Sequence, residues 1–163
     1  MIQKLSIVFL FIFLISCSNV NFVYEKNNNL TNPIYNKTFY NFSGKEITSA
    51  YRYADIYFGS SENSEYELDI KIKEKKIKRS VQSNQAIAKL DYELSFFYNL
   101  RNVDKKCLVY NKNIISNFSY VPKSSGYNFG SDQSLIKMYD LAAKENMGKF
   151  SVFLSEVDIN SCI

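Results

Sequence analysis

The chain has 163 residues, a formal net charge of +4 and no histidine. So mild a positive charge does not indicate nucleic-acid binding. The missing histidine excludes histidine-based acid–base catalysis, serine–histidine and cysteine–histidine nucleophile pairs and most zinc sites. A glycine-rich phosphate loop is also absent from the sequence. We therefore expect a protein that is not an enzyme and that uses neither a cofactor nor a metal.

The N-terminus predicts a signal peptide over residues 1–16. One lysine precedes an almost wholly apolar stretch, Leu5–Ile15, which is shorter than the roughly 20 apolar residues of a transmembrane helix. Three residues stand directly before Cys17: Leu14, Ile15 and Ser16. This arrangement resembles the lipobox of bacterial lipoproteins, which implies cleavage before Cys17 and a diacylglycerol on its thiol. The alternatives are an ordinary cleaved signal with an incidental cysteine, or an uncleaved anchor.

Residues 17–42 are interpreted as the lipidated N-terminus, a short strand and a tether. Phe22-Val23-Tyr24 is the candidate strand, whereas Glu25–Tyr40 is polar and irregular, with a run of asparagines and Pro33. The remaining residues, 43–163, are then one domain with enough chain to build a core.

The domain begins with a predicted helix over Lys45–Phe58. Ser43 and Glu46 fit a capping box, and apolar residues follow at helical spacing until Gly59 ends the pattern. A final helix is predicted over Gln133–Leu154, with Ser131 as its N-terminal cap and a broad apolar stripe.

Three long strands are predicted between the two helices. Apolar and charged residues alternate from Glu65 to Lys73, which is typical of a strand with one buried and one polar face. The alternation changes phase at Ile77, so we expect a β-bulge over residues 74–76. Two further alternating segments predict consecutive antiparallel strands in a meander: Ala86–Leu100 and Cys107–Val121.

This element order predicts an α+β fold. We expect a two-layer sandwich in which two helices pack on one face of a four-stranded, mainly antiparallel sheet. The last helix then returns toward the start of the third long strand, which brings Cys162 near Cys107. A disulfide between them and two unpaired cysteines are the two alternatives.

Several segments together resemble the LPS-assembly lipoprotein family, LptE, in its alphaproteobacterial form. Tyr66-Glu67-Leu68, the strand over residues 90–94 and the serine- and tyrosine-rich strand over residues 116–120 are similar to the family's central hairpins. Gly126-Tyr127, followed by residues 139–146, resembles its terminal helix. Phe22-Val23-Tyr24 stands where the family reads Gly-Phe-x-Pro-Leu-Tyr, but with an insertion and without the glycine and proline.

The resemblance implies an outer-membrane lipoprotein, held by its lipid on the periplasmic side. The implied partner is the outer-membrane β-barrel LptD, whose assembly the family assists while lipopolysaccharide is delivered to the cell surface. Direct contact with lipopolysaccharide is part of that expectation. Two other functions stay open: an auxiliary lipoprotein of a periplasmic ABC-type lipid transport system, and a lipoprotein that binds a small molecule.

A basic cluster near the end of the first long strand is the candidate contact with lipid A phosphates or with acidic residues of the barrel. The alternative is a solvated strand face whose lysines discourage edge pairing. Its members are Lys71, Lys73, Lys75, Lys76, Lys78 and Arg79.

Overall fold

The structure is a computed structural model that describes residues 32–81, 87–121, 129–159 and 161–162. The elements in chain order are β1 (Thr38–Gly44), α1 (Thr48–Phe58), β2 (Tyr66–Val81), β3 (Ile87–Asn102), β4 (Cys107–Tyr120) and α2 (Phe129–Glu156). The predicted signal peptide and the candidate strand Phe22–Tyr24 lie outside the described residues.

The four strands form one sheet in the order β1-β2-β3-β4. β1 runs parallel to β2, and the two other pairs are antiparallel. A parallel pair needs a crossover connection, and α1 supplies it between β1 and β2. The predicted α+β class, with a mainly antiparallel four-stranded sheet and two helices, is confirmed.

The core lies between the helices and one face of the sheet. The even-numbered side chains are buried over Tyr66–Ile72 of β2 and Tyr92–Leu100 of β3, whereas their odd-numbered neighbours face the other side of the sheet. Phe150 of α2 stacks on Tyr98 of β3 with ring centroids 3.9 Å apart and meets Phe58 of α1 at 5.8 Å. One aromatic ring therefore joins both helices to the centre of the sheet.

The two helices approach each other closely at Gly148. A Cβ atom placed there would lie 3.1 Å from the hydroxyl of Tyr57 on α1. Glycine therefore fits this position because the neighbouring helix leaves little room for a side chain.

The first described strand is β1, and it lies where the sequence predicted a tether. Thr38 is buried, and Tyr40 and Phe42 are partly buried beneath α1. The prediction that residues 17–42 are outside the folded domain is therefore wrong for Thr38–Phe42. Phe39 is an apolar residue at an exposed position, so only Tyr40–Ser43 alternates, which was too brief to identify the strand.

Both helix starts differ from the prediction. Ser43 belongs to β1, the N-cap of α1 is Ile47, and no side chain caps it. The chain stays on the sheet up to Lys45, whose backbone N–H donates to the carbonyl of Ile72 at 2.8 Å. α2 already includes Ser131, so this serine is not its N-cap. The predicted end of α1 is confirmed, because Gly59 follows with a φ of 66°.

The predicted bulge at residues 74–76 is also wrong. β2 pairs with β3 in unbroken register from Tyr66 to Lys78, and the irregularity comes later, between Lys78 and Val81. The apolar alternation of β2 breaks here for another reason. Glu74 and Lys76 lie on the helix-facing side of the sheet, where they form an ion pair with each other. A separate register shift in β4 inserts Val109, which is buried.

Candidate functional site

The candidate lipid anchor lies outside the described residues, but the structure fixes where the chain enters the fold. Asn32 donates from its side chain to the carbonyl of Tyr57 at 2.6 Å, next to the end of α1. Residues 18–31 join this point to Cys17, and so few residues span at most about 50 Å.

The basic cluster is divided between the two faces of the sheet. Lys71, Lys73 and Lys75 lie on the open face, by which we mean the face of the sheet opposite α1 and α2. Lys76 and Lys78 have the opposite parity and point to the helix side. The side chain of Arg79 lies outside the described residues. The cluster is therefore not one continuous patch, although its exposed members line the same part of β2.

The open face also carries apolar side chains beside these lysines. Phe97 on β3 is half-buried and pairs across the strands with Lys71, and Ile115 on β4 is 48% exposed. The ammonium of Lys73 lies 5.1 Å from the centroid of the Phe97 ring. Cations and apolar groups are thus mixed on a surface that the described helices leave uncovered.

A second polar centre, which the sequence did not predict, surrounds Glu74. Tyr139 of α2 donates a hydrogen bond to its carboxylate, and the ammonium groups of Lys76 and Lys45 lie 3.1 and 3.7 Å away. Burial by itself raises the pKa of Glu74. The hydrogen bond and the two cations outweigh burial, so its pKa lies below the ordinary value.

Asp140 forms a similar centre between the helices. It accepts hydrogen bonds from the hydroxyl of Tyr53 at 2.8 Å and from Arg52 at 3.1 Å. Burial raises the pKa of this carboxyl, but the hydrogen bonds and the charge of Arg52 lower it further than burial raises it. The structural partners of both carboxylates thus account for the lowered pKa values.

A pocket of about 480 Å³ opens beside these two centres. Its lining combines the start of α1 with one side of α2, and it includes Ile47, Ile136, Tyr139 and Lys45. The separation of these positions in the sequence explains why no local pattern indicated the pocket.

The described residues contain no group of three or more side chains able to hold a metal ion. Neither α1 nor α2 is both long and apolar enough to cross a bilayer. Cys107 and Cys162 are joined by a disulfide whose Cα atoms lie 5.9 Å apart. This bond ties the segment after α2 to the start of β4.

No protein-family model matches the chain. No curated protein matches it either. The fold does match solved structures. A "putative lipoprotein" of Caulobacter crescentus superimposes with a TM-score of 0.58 at 13% identity, over 79% of this chain and 95% of that one. A minor lipoprotein of Acinetobacter baumannii gives a TM-score of 0.52 at 8% identity, over 76% and 94%. The rare lipoprotein B of Shewanella oneidensis superimposes with a TM-score of 0.47 at 11% identity, over 70% of this chain and 94% of that one.

The first two likenesses show the fold. Each covers nearly the whole of the neighbouring chain, so this domain shares the complete architecture of these bacterial lipoproteins and not a single motif. The identities are too low to carry any residue's role from one protein to another.

Proposed function

We propose that this chain is a lipid-anchored lipoprotein of the outer membrane. It binds an LptD-like β-barrel and assists barrel assembly and lipopolysaccharide delivery, without catalysing a reaction. One combination carries the proposal: a lipobox at Leu14–Cys17 precedes a domain with the fold of bacterial lipoproteins. The resemblance of the sequence segments to LptE supplies the choice of partner.

The surface chemistry is compatible with this role. Lys71, Lys73 and Lys75 on the open face are candidates for contact with lipid A phosphates or acidic barrel residues, because charge-assisted hydrogen bonds are the strong ones. Phe97 and Ile115 beside them offer apolar contact to the same partner. The carboxylates with shifted pKa values are engaged in structural hydrogen bonds, which favours a binding role over a catalytic one.

The test is a pull-down in mild detergent of the tagged chain, expressed in its own host, followed by mass spectrometry. We expect one outer-membrane barrel in a one-to-one complex. Cys17→Ser serves as the matched variant, because it removes the lipid and leaves the domain unchanged. We expect mass spectrometry of the purified variant to show no attached fatty acid, while the barrel is still recovered with it.

Two results would contradict the proposal. Recovery of an inner-membrane ATPase complex would identify the chain as an auxiliary lipoprotein of an ABC-type transporter. A fatty acid that is still attached to the Cys17→Ser chain would show that the anchor is not a lipid on this cysteine.

A further inference from the structure

β1 covers less than half of β2. Its seven residues pair with Tyr66–Ile72, and the pairing stops at Gly44 opposite Ile72. β2 continues to Val81, and no strand of the described residues pairs with this side of it beyond Ile72. We call Glu74–Lys78 the open edge.

The backbone of the open edge has hydrogen-bonding groups that point away from β3. The N–H of Lys45 donates to the carbonyl of Ile72, which shows that the backbone groups of Ile72 point to the β1 side. Because this direction alternates along a strand, those of Glu74, Lys76 and Lys78 point the same way. The register with β3 is regular up to Lys78, so the open edge is a regular strand about 17 Å long.

The pocket described above adjoins the helix-facing side of this edge. Lys45 and Tyr139 line the pocket, and both contact Glu74 on the edge itself. Ile47 and Ile136 contribute apolar surface, and Ile136 is 57% exposed. A strand laid along the open edge would therefore direct one of its alternate side chains toward an apolar pocket.

Between Lys73 and Lys78, β2 carries four lysines and one glutamate, and Glu93 of β3 lies opposite Lys75, so the net charge of these groups is positive. Lys73 and Lys75 lie on one side of the open edge, and Lys76 and Lys78 lie on the other. Glu74, the first residue of the open edge, already contacts two ammonium groups and a tyrosine hydroxyl. Two copies of this edge would bring like charges together, which disfavours pairing of the chain with itself. An acidic strand has the complementary charge.

We propose that the open edge binds an extended, acidic segment of a partner protein by strand addition. Backbone hydrogen bonds to Glu74, Lys76 and Lys78 hold the segment, carboxylates face the lysines, and one apolar side chain enters the pocket beside Ile136. In this mode the backbone supplies affinity and the pocket supplies specificity. The inference goes beyond the proposed function and does not depend on the barrel.

The test measures binding of a fluorescein-labelled peptide to the purified full chain in mild detergent. The probe alternates aspartate and threonine around a central isoleucine. Two matched peptides accompany it: one with lysine in place of aspartate, and one with N-methyl groups on alternate residues, which removes backbone donors. We expect fluorescence anisotropy to show saturable binding of the first peptide, and at least about tenfold weaker binding of the other two.

Three variants locate the site. Lys76→Pro removes an N–H that points away from β3, so β2 keeps its pairing while the edge loses a donor. Ile136→Asp changes an exposed pocket residue. Lys75→Glu reverses a charge on the edge, and Lys71→Glu is its control on the same face but beside β1. We expect the affinity for the acidic peptide to fall about tenfold in the first three variants. It should fall less than twofold in the control, because Lys71 lies more than a Debye length from the open edge.

The following results would overturn the inference. No binding of the acidic peptide, equal binding of the N-methylated peptide, or full binding by Lys76→Pro with an unchanged circular dichroism spectrum would each exclude strand addition here. Equal binding of the lysine peptide would exclude an acidic partner. Dimerisation of the chain alone that Lys76→Pro abolishes would assign the edge to a second copy instead. A failed barrel pull-down leaves all these readouts unaffected.

Discussion

Asn146 is a polar side chain in the middle of the apolar face of α2, and it is fully buried. It accepts a hydrogen bond from the hydroxyl of Tyr98 at 2.8 Å and donates to the carbonyl of Ile114 and the hydroxyl of Ser116. Three strand residues are thus tied to one helix position. Because buried polar groups must be paired, this network fixes how α2 lies on the sheet.

The network predicts a large cost for Asn146→Ala. The change removes three hydrogen bonds and leaves the buried Tyr98 hydroxyl unpaired, so we expect the free energy of unfolding to fall by about 3 kcal/mol. Urea denaturation measures it. Asn113→Ala, at an exposed position of β4, is the control and is expected to change stability by less than about 0.5 kcal/mol. A loss below about 1 kcal/mol at Asn146 would mean that water replaces its partners.

Glu74 makes the stability depend on acid pH. Its pKa is lowered in the folded chain relative to the ordinary value of 4.5, so the unfolded chain binds its proton more readily. The stabilisation is fully present above the unfolded pKa and is lost as the pH falls through the folded pKa. We therefore expect Glu74→Gln to flatten the fall in unfolding free energy as the pH drops below the ordinary pKa of 4.5. Equal slopes in both proteins would contradict this assignment.

Neither residue could be assigned from the sequence. An asparagine in an apolar helix pattern is normally interpreted as an interruption, and a glutamate among lysines as part of a solvated face. The role of Asn146 depends on the residues of β3 and β4 that lie opposite it, and the role of Glu74 depends on Tyr139 of α2 and on Lys45. These partners are distant in the sequence, so no local pattern identifies either role. The sequence showed the lysines as one run. The face on which each lysine lies depends on the strand register, and the predicted bulge gave the wrong register.

At the scale of elements, long alternating patterns were predictable and short ones were not. β2 and β3 each have 16 residues, and their alternation identified them and their buried faces. β1 has seven, and its parallel pairing with β2 is a long-range contact with no local signal. The capping box at Ser43 was overridden for the same reason, since pairing with β2 keeps that residue in the sheet.

At the scale of the whole molecule, the element order was enough to predict the layered fold, because each amphipathic element needs its apolar face covered. The open edge was not predictable. It exists because β1 is shorter than β2, and the sequence did not reveal β1. A prediction of architecture can therefore be right while the surface available to partners is missed.

The disulfide predicts a stability effect for the whole molecule. Cys107 and Cys162 are separated by 55 positions, and closing a loop of that length lowers the entropy of the unfolded chain by an amount worth about 4 kcal/mol. We expect the double variant, Cys107→Ser with Cys162→Ser, to lose about 4 kcal/mol of unfolding free energy, which lowers the urea midpoint. Reduction of the unaltered protein should give the same midpoint as the double variant. A midpoint unchanged by both treatments would show that the cross-link does not constrain the unfolded chain.

The position of this disulfide also orders the events of folding as the chain is made. Cys107 opens β4, but its partner lies beyond α2, so the bond can close only after the whole of α2 has emerged. By then β2, β3 and β4 are complete and can pair without it. The three long strands therefore have all the chain that they need to find their register before the second cysteine is present.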